Sequence, residues 1–142
     1  MKVKTGNVKK YHLLGLQKDE LLYESLIEYC RQNQIGNGSI QIIGSLQKLN
    51  IAFYDQVKKE YVNISRNETV EIVNATGDIS TKDGQIFVHV HLAVSTRDTK
   101  VFGGHLLPES PVFAAEVTIL EFEGEPFVRK FDPETGLFIW NS

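Results

Sequence analysis

The sequence predicts an α+β domain, in which a mostly antiparallel β-sheet carries one main α-helix and several copies associate. Residues 18–33 have apolar side chains at the three-to-four residue spacing of an amphipathic helix. The chain after this segment alternates between strand-like apolar stretches and short turns, which leave no room for the helical crossovers that parallel strands need. At 142 residues the chain is long enough for one core, so we expect residues 1–142 to form a single domain.

The elements are predicted in order from periodicity and turn residues. The helix Lys18–Asn33 begins with acidic residues and ends before Gly36, as helices commonly do. Strands are predicted at Tyr11–Leu16, Gly38–Leu46, Val70–Ile79, Gln85–Ser95, Lys100–Leu107 and Val112–Glu123, with Asn50–Tyr54 continuing the second of them. Further polar regions are predicted at Glu121, Glu123 and Glu125, which we expect to be solvated, and at Arg129–Leu137, which we expect to be a turn.

Two strand segments, Ile40–Ile43 and Phe113–Leu120, carry apolar residues on both faces. A sheet is not expected to leave one of these faces bare, because large exposed apolar patches are rare on monomeric proteins. We therefore expect the helix to cover one face and a neighbouring subunit to cover the other.

Composition limits the partners of the chain. The net charge at pH 7 is −3, which gives no electrostatic reason to bind nucleic acid. No stretch approaches the ~20 apolar residues of a membrane span, and the N-terminal segment lacks the apolar run of a secretory signal. We therefore expect no membrane contact and a cytoplasmic location. Cys30 is the only cysteine, so the chain has neither an internal disulfide nor a zinc site of several thiolates.

Three of the four histidines, His89, His91 and His105, fall within residues 88–107. His89 and His91 are two positions apart on a predicted strand, so their imidazoles point to the same face of the sheet. His105 lies on the predicted return strand and reaches that face only in some registers. The length of the intervening turn therefore decides whether the three imidazoles meet.

Two of the three loops considered bring His105 to the other histidines. A three-residue loop at 97–99 sets His105 opposite His91, and one at 96–98 sets it opposite His89. A two-residue loop places His105 on the wrong face, because a slip of one residue reverses the direction of every side chain.

Three neutral imidazoles that converge on one point are a common ligand set for Zn²⁺, with a fourth position left for water, a carboxylate or substrate. The alternative is that the histidines only pack on a half-buried sheet face. Glu116 interrupts an apolar strand, where it would orient the metal ligands or act as a general base on metal-bound water. It is otherwise an edge or interface glutamate paired with Arg97 or Lys100.

Five short motifs follow one another along the chain: Gly77-Asp78-Ile79, His89-Val90-His91, Gly103-Gly104-His105-Leu106, Ala115-Glu116-Val117 and Asp132–Leu137. Their ordered combination resembles the signature of the plant-and-prokaryote conserved (PPC) domain family. The resemblance covers nearly the whole chain and implies a homotrimer with a DNA-binding or regulatory role. Plant relatives carry an Arg-Gly-Arg-Pro segment that enters the minor groove, and this sequence does not contain it. With the acidic charge, this absence leaves direct DNA binding unsupported.

Three functions stay open from the sequence. The first is a metal-binding PPC-like oligomer, with zinc as the expected metal, for which the resemblance implies a DNA-binding or regulatory role. The second is a small zinc-dependent enzyme, in which the three histidines hold the metal and Glu116 is the general base. The third is a structural oligomer without metal.

Overall fold

The computed structural model describes residues 1–141, which form ten β-strands and one α-helix. In chain order the elements are β1 (Val8–Leu16), α1 (Leu22–Gln32), β2 (Gly38–Leu46), β3 (Leu49–Asp55), β4 (Glu60–Arg66), β5 (Val70–Lys82), β6 (Gln85–Ser95), β7 (Val101–Leu106), β8 (Val112–Phe122), β9 (Val128–Asp132) and β10 (Leu137–Trp140).

The strands form one sheet in the order β1-β8-β2-β5-β6-β7-β3-β4. Every pairing is antiparallel except that of β5 with β9, which in turn pairs with β10. α1 buries Leu22, Leu26 and Cys30 in the apolar core, together with the inward residues of the strands. The predicted mostly antiparallel sheet with a single helix is therefore confirmed for residues 1–141. None of these residues belongs to a helix that is long and apolar enough to cross a membrane.

The predicted start of the helix is wrong by one turn. α1 begins at Leu22, because the backbone of Asp19 has a φ of 73°, which lies outside the helical region. The segment that leads into β8 holds this turn in place. Asp19 N donates to the carbonyl of Val112 at 3.0 Å, and Leu22 N donates to that of Ser110 at 2.9 Å. These long-range hydrogen bonds replace the first helical turn that the sequence pattern indicates.

The prediction that residues 50–54 continue β2 is also wrong. These residues belong to β3, which pairs with β4 and β7 at the other end of the sheet from β1. The predicted polar turn at 129–137 instead forms a hairpin, since 129–132 belong to β9. No residue of β4 or β10 is buried. These two strands therefore lack the alternation of buried and exposed residues on which the prediction of a strand relies.

Glu121 is not solvated as predicted, and only 6% of it is exposed. Its carboxylate lies between Lys9, whose Nζ is 2.6 Å from Oε1, and His12, whose Nε2 is 3.3 Å from Oε2. The hydrogen bond from Lys9 lowers the pKa of Glu121, against the opposing effect of burial. The fourth histidine thus belongs to this ion-paired group, where its Nδ1 lies 3.0 Å from the Tyr29 hydroxyl.

Gly103 allows β7 to approach β6 closely. A Cβ at this position would lie 2.0 Å from the carbonyl oxygen of Leu92 and 3.0 Å from Cα of Ala93. Both atoms belong to the backbone of β6, so a side chain could be accommodated only if the two strands moved apart. The glycine therefore sets the spacing of the two strands that carry the three histidines.

We expect Gly103→Ala to lower the free energy of unfolding by about 1–3 kcal/mol, because the added methyl group overpacks two backbones. Urea unfolding followed by circular dichroism measures this change. Gly36→Ala is the matched control, since a Cβ at Gly36 meets only Thr81 Cγ2, at the ordinary contact distance of 3.8 Å. At Gly36 the stability should stay unchanged or rise by up to about 1 kcal/mol, because alanine leaves the unfolded chain fewer conformations than glycine does. Equal effects of the two substitutions would contradict the close approach.

Candidate metal centre

The turn between β6 and β7 sets the register of the histidine hairpin. Thr96 N donates to the Lys100 carbonyl at 3.0 Å, and Thr99 N donates to the Thr96 carbonyl at 2.9 Å, which closes a three-residue loop at 97–99. His105 consequently pairs directly with His91. This is the first of the two favourable registers predicted from the sequence, and it continues without a shift through Gly103 and Gly104.

The three histidines converge on the sheet face opposite α1. The centroid of the His89 ring is 4.9 Å from that of His91 and 4.9 Å from that of His105, and the remaining pair is 5.5 Å apart. One ring nitrogen from each residue lies within 4.8 Å of the other two. A tetrahedral zinc with bonds of about 2.0–2.1 Å spaces its nitrogen ligands about 3.3 Å apart. Small ring movements therefore suffice to bring the nitrogens onto one ion.

His105 is the most enclosed member of this histidine cluster. Its Nδ1 is buried and has no hydrogen-bond partner among residues 1–141. The ring packs against Tyr61 of β4, with 5.3 Å between the centroids. Burial, followed by the nearby His89 and His91, lowers the pKa of His105 to about 4. The imidazole is thus held in the neutral form that binds metals.

His91 is the open side of the cluster, because its side chain is exposed whereas those of His89 and His105 are half-buried. Burial and the neighbouring His89 still lower its pKa. The cluster is therefore accessible to solvent, or to another molecule, from the His91 side.

His89 is held by a carboxylate and a guanidinium that the sequence argument did not assign to the site. Its Nδ1 lies 3.4 Å from Asp78 Oδ2 and 3.2 Å from Arg129 Nη2. Burial alone would raise the pKa of Asp78, but hydrogen bonds from His89, Arg129 and Ser80 outweigh it and lower the pKa. Asp78 stands in the Gly77-Asp78-Ile79 motif, which was the signal available in the sequence, and the structure pairs it with His89 across β5 and β6.

Glu116 is not brought to the histidines within this chain. It lies on β8, which is separated from β6 by β2 and β5, a spacing of about 14 Å between strands. Its side chain is exposed between Gly15 of β1 and Ile43 of β2. Lys100, one partner expected for Glu116, pairs instead with Asp98 at 2.6 Å.

The fold and site define a class of small α+β domains in which a mostly antiparallel sheet presents three histidines on the face away from its helix. Residues 3–123 match the model of the Plants and Prokaryotes Conserved (PCC) domain. The chain belongs to this family, which is the PPC family that the sequence resembles.

Several solved structures share the fold over nearly the whole chain. A metal-containing protein from Archaeoglobus fulgidus is 38% identical, with a TM-score of 0.95 and 100% of both chains covered. A PPC protein from Pyrococcus horikoshii is 31% identical, with a TM-score of 0.92 over 100% of this chain and 98% of the other. A putative DNA-binding protein from Bacteroides thetaiotaomicron is 28% identical, with a TM-score of 0.85 over 97% and 98% of the two chains.

A curated relative is much longer than this chain. The bifunctional protein GlmU from Synechococcus sp. (strain JA-3-3Ab) is 31% identical over 134 residues, which make up 93% of this chain and 20% of that protein. The chain thus spans about a fifth of the length of the curated relative that it matches. The likeness concerns the PPC domain and carries no activity of the longer protein to this one.

We expect the metal-free protein to lose stability as the pH falls from 7 to 5. His105 has a pKa of about 4 in the folded protein and an ordinary value of 6.5 in the unfolded chain, so the unfolded state binds more protons in this interval. Chemical unfolding in the presence of a chelator measures the slope. His105→Phe should reduce it, whereas Tyr61→Phe should keep it, because that variant retains both the imidazole and the packed ring. If the free energy of unfolding depended on pH equally in His105→Phe and the parent protein, His105 would not be the cause of the loss of stability.

Proposed function

We propose that the protein is a metal-binding homo-oligomer, with His89, His91 and His105 as the ligands of one Zn²⁺. The convergence of three imidazoles on one face is the observation that carries this proposal. The buried Nδ1 of His105 adds weight, since a buried polar atom without a hydrogen bond is costly unless something binds to it. Three neutral nitrogen ligands suit zinc better than magnesium or calcium, which prefer oxygen.

The proposed site leaves one coordination position open on the exposed His91 side. A zinc ion held there by three histidines supplies a Lewis acid and lowers the pKa of bound water. The metal-containing relative from Archaeoglobus fulgidus, at 38% identity over the full length, supports the presence of a metal. The choice of zinc rests on the ligand chemistry of this chain.

Catalysis with Glu116 as the general base has weaker support. A single chain places Glu116 three strands away from His89, so a neighbouring subunit would have to bring the carboxylate to the metal. We therefore propose metal binding as the function of the cluster and leave Glu116 outside the ligand set.

The oligomer proposal rests on the sheet face that α1 does not cover. On this face, Tyr11 is 70% exposed and Leu13 is 72% exposed on β1, and Ile43 is exposed on β2. Leu13 pairs with Thr118 of β8, and Ile43 pairs with Glu116 of the same strand. Since Glu116 and Thr118 are two residues apart, Leu13 and Ile43 lie close together on this face. Apolar side chains grouped in this way favour burial against a second copy. The family resemblance supports three copies as the number.

DNA binding is not part of the proposal. Relatives from Bacteroides thetaiotaomicron and Ralstonia eutropha carry DNA-binding in their names. This chain has a net charge of −3 and no Arg-Gly-Arg-Pro segment, so neither a basic surface overall nor the minor-groove element of plant relatives supports the same role here.

Protein purified without a histidine tag should contain about one zinc per chain, measured by elemental mass spectrometry. His91→Ala should lose most of this metal, because two imidazoles hold zinc much less tightly than three. His12→Ala is the control, since His12 lies beside Glu121 and Tyr29 and outside the cluster. Equal zinc contents in all three proteins, or none in the parent protein, would rule out the site.

Leu13→Glu should convert the oligomer to smaller species, because it places a charge in the apolar face that we propose is buried between copies. Light scattering after size-exclusion chromatography measures the mass, and the parent protein should elute as a trimer. Val57→Glu adds the same charge at a residue that is 93% exposed in the β3–β4 turn, at the other end of the sheet. It should keep the parent mass. A monomeric parent protein would refute the oligomer proposal.

A further inference from the structure

The C-terminal hairpin, β9–β10, reaches the histidine cluster although it lies outside the residues that match the family model. That match ends at residue 123, and the hairpin begins at Val128. Its contact with the cluster is made by Arg129, which is only 8% exposed. A buried guanidinium needs partners for its donors, so its contacts show what the hairpin is attached to.

Arg129 joins the hairpin to β5 and β6. Its Nε donates to Ser80 Oγ at 2.8 Å, and its Nη1 donates to the Phe138 carbonyl at 3.0 Å across the hairpin. Its Nη2 lies 2.8 and 2.9 Å from the two carboxylate oxygens of Asp78, and 3.2 Å from His89 Nδ1. One side chain thus connects β10, the Asp78 carboxylate and a proposed metal ligand.

A second contact holds the same hairpin beside the cluster. The Tyr54 hydroxyl donates to the Thr135 carbonyl at 2.6 Å, and the Tyr54 ring packs on Tyr61 with 5.0 Å between centroids. Tyr61 in turn packs on His105. The hairpin therefore approaches the cluster from both the His89 and the His105 sides.

The surroundings of His89 Nδ1 determine which nitrogen is free for a metal. Asp78 and Arg129 both lie at Nδ1, which leaves Nε2 as the nitrogen that can bind an ion. An imidazole that gives its Nε2 lone pair to a metal carries its proton on Nδ1, so Nδ1 must then donate a hydrogen bond. Of its two neighbours only the Asp78 carboxylate can accept one, and Arg129 keeps that carboxylate in place.

We propose that Asp78 and Arg129 are positioning residues of the metal centre, and that the C-terminal hairpin is thereby part of it. Asp78 orients His89 by accepting a hydrogen bond from its Nδ1–H, Arg129 fixes Asp78, and binding of the metal stabilises the docked hairpin. This inference rests on the proposed three-histidine site. It adds Arg129, which lies outside the residues that match the family model, and it links the binding of a metal to the docking of the β9–β10 hairpin.

The test compares the affinities of the parent protein and two variants for Zn²⁺, by competition with a chromophoric chelator at a temperature where all are folded by circular dichroism. Asp78→Asn should weaken zinc binding by about 10- to 100-fold, the usual effect of losing such a carboxylate. Arg129→Lys should also weaken it, because one ammonium cannot replace the planar fork that holds Asp78, Ser80 and Phe138 together. If Asp78→Asn does not fold, the charge-conserving Arg129→Lys decides the matter.

Two further readouts separate positioning from a loss of general stability. The visible absorption of bound Co²⁺ reports the coordination geometry and should change in both variants. Hydrogen exchange of backbone amides at 128–140 should slow when zinc binds to the parent protein and should slow less in zinc-saturated Asp78→Asn, since coupling between two sites is reciprocal. If Asp78 and Arg129 only stabilise the fold, the Co²⁺ absorption and the slowing of exchange by zinc should be the same in the variants as in the parent protein.

Glu121→Gln is the matched control, because Glu121 is likewise a carboxylate held between a histidine and a cation, but it lies away from the cluster. It should leave zinc affinity within about twofold of the parent value. Tight zinc binding by the parent protein that is equally tight in Asp78→Asn would overturn the positioning role alone. Absence of both Zn²⁺ and Co²⁺ binding in the parent protein would overturn the three-histidine site, and this inference with it.

Discussion

The pairing of β6 with β7 is the constraint on which the site depends. Side chains alternate between the two faces of a strand, so a shift of one residue in this pairing would move His105 to the core face, away from His89 and His91. The three-residue loop at 97–99 fixes the pairing from one end. Gly103 permits the close approach of the two backbones near the middle. The convergence of the three histidines therefore depends on the length of one turn and on one glycine, which set the register and the spacing of the two strands.

Local sequence patterns predicted the parts of the fold that are governed by local rules. β6 has the bounds that its alternation and flanking turns indicate, and the register of the hairpin is one of the two that allow a cluster. The start of α1 was predicted wrongly, because its signals compete with hydrogen bonds from Asp19 and Leu22 to a segment about 90 residues further on. Helix propensity is a weak preference that such tertiary contacts override.

Polar residues were the main source of error, since their burial depends on partners that are distant in sequence. Glu121 was expected to be solvated, but Lys9 and His12 of β1 enclose its carboxylate. Arg129 was placed in a polar turn, but its donors are taken up by Asp78, Ser80 and Phe138. In both cases the sequence shows a charged residue in a polar stretch, and only the paired strands show that it is held. The spacing of apolar residues indicates which apolar side chains are buried, but it does not indicate which charged side chains are buried beside a partner.

The proposed metal site and the proposed subunit contact lie on the same face of the sheet. The histidines and the exposed apolar residues Leu13 and Ile43 all lie on the sheet face that α1 leaves bare, and His91 is the exposed member of the cluster. A subunit packed on this face would exclude water from its surroundings, which strengthens electrostatic interactions there and restricts what reaches an open coordination position. Glu116 lies on the same face between Gly15 and Ile43, where burial against another copy would require a partner for its charge. Association of copies through this face, as proposed, would therefore make the chemistry of the proposed site depend on the assembly as well as on the three histidines of one chain.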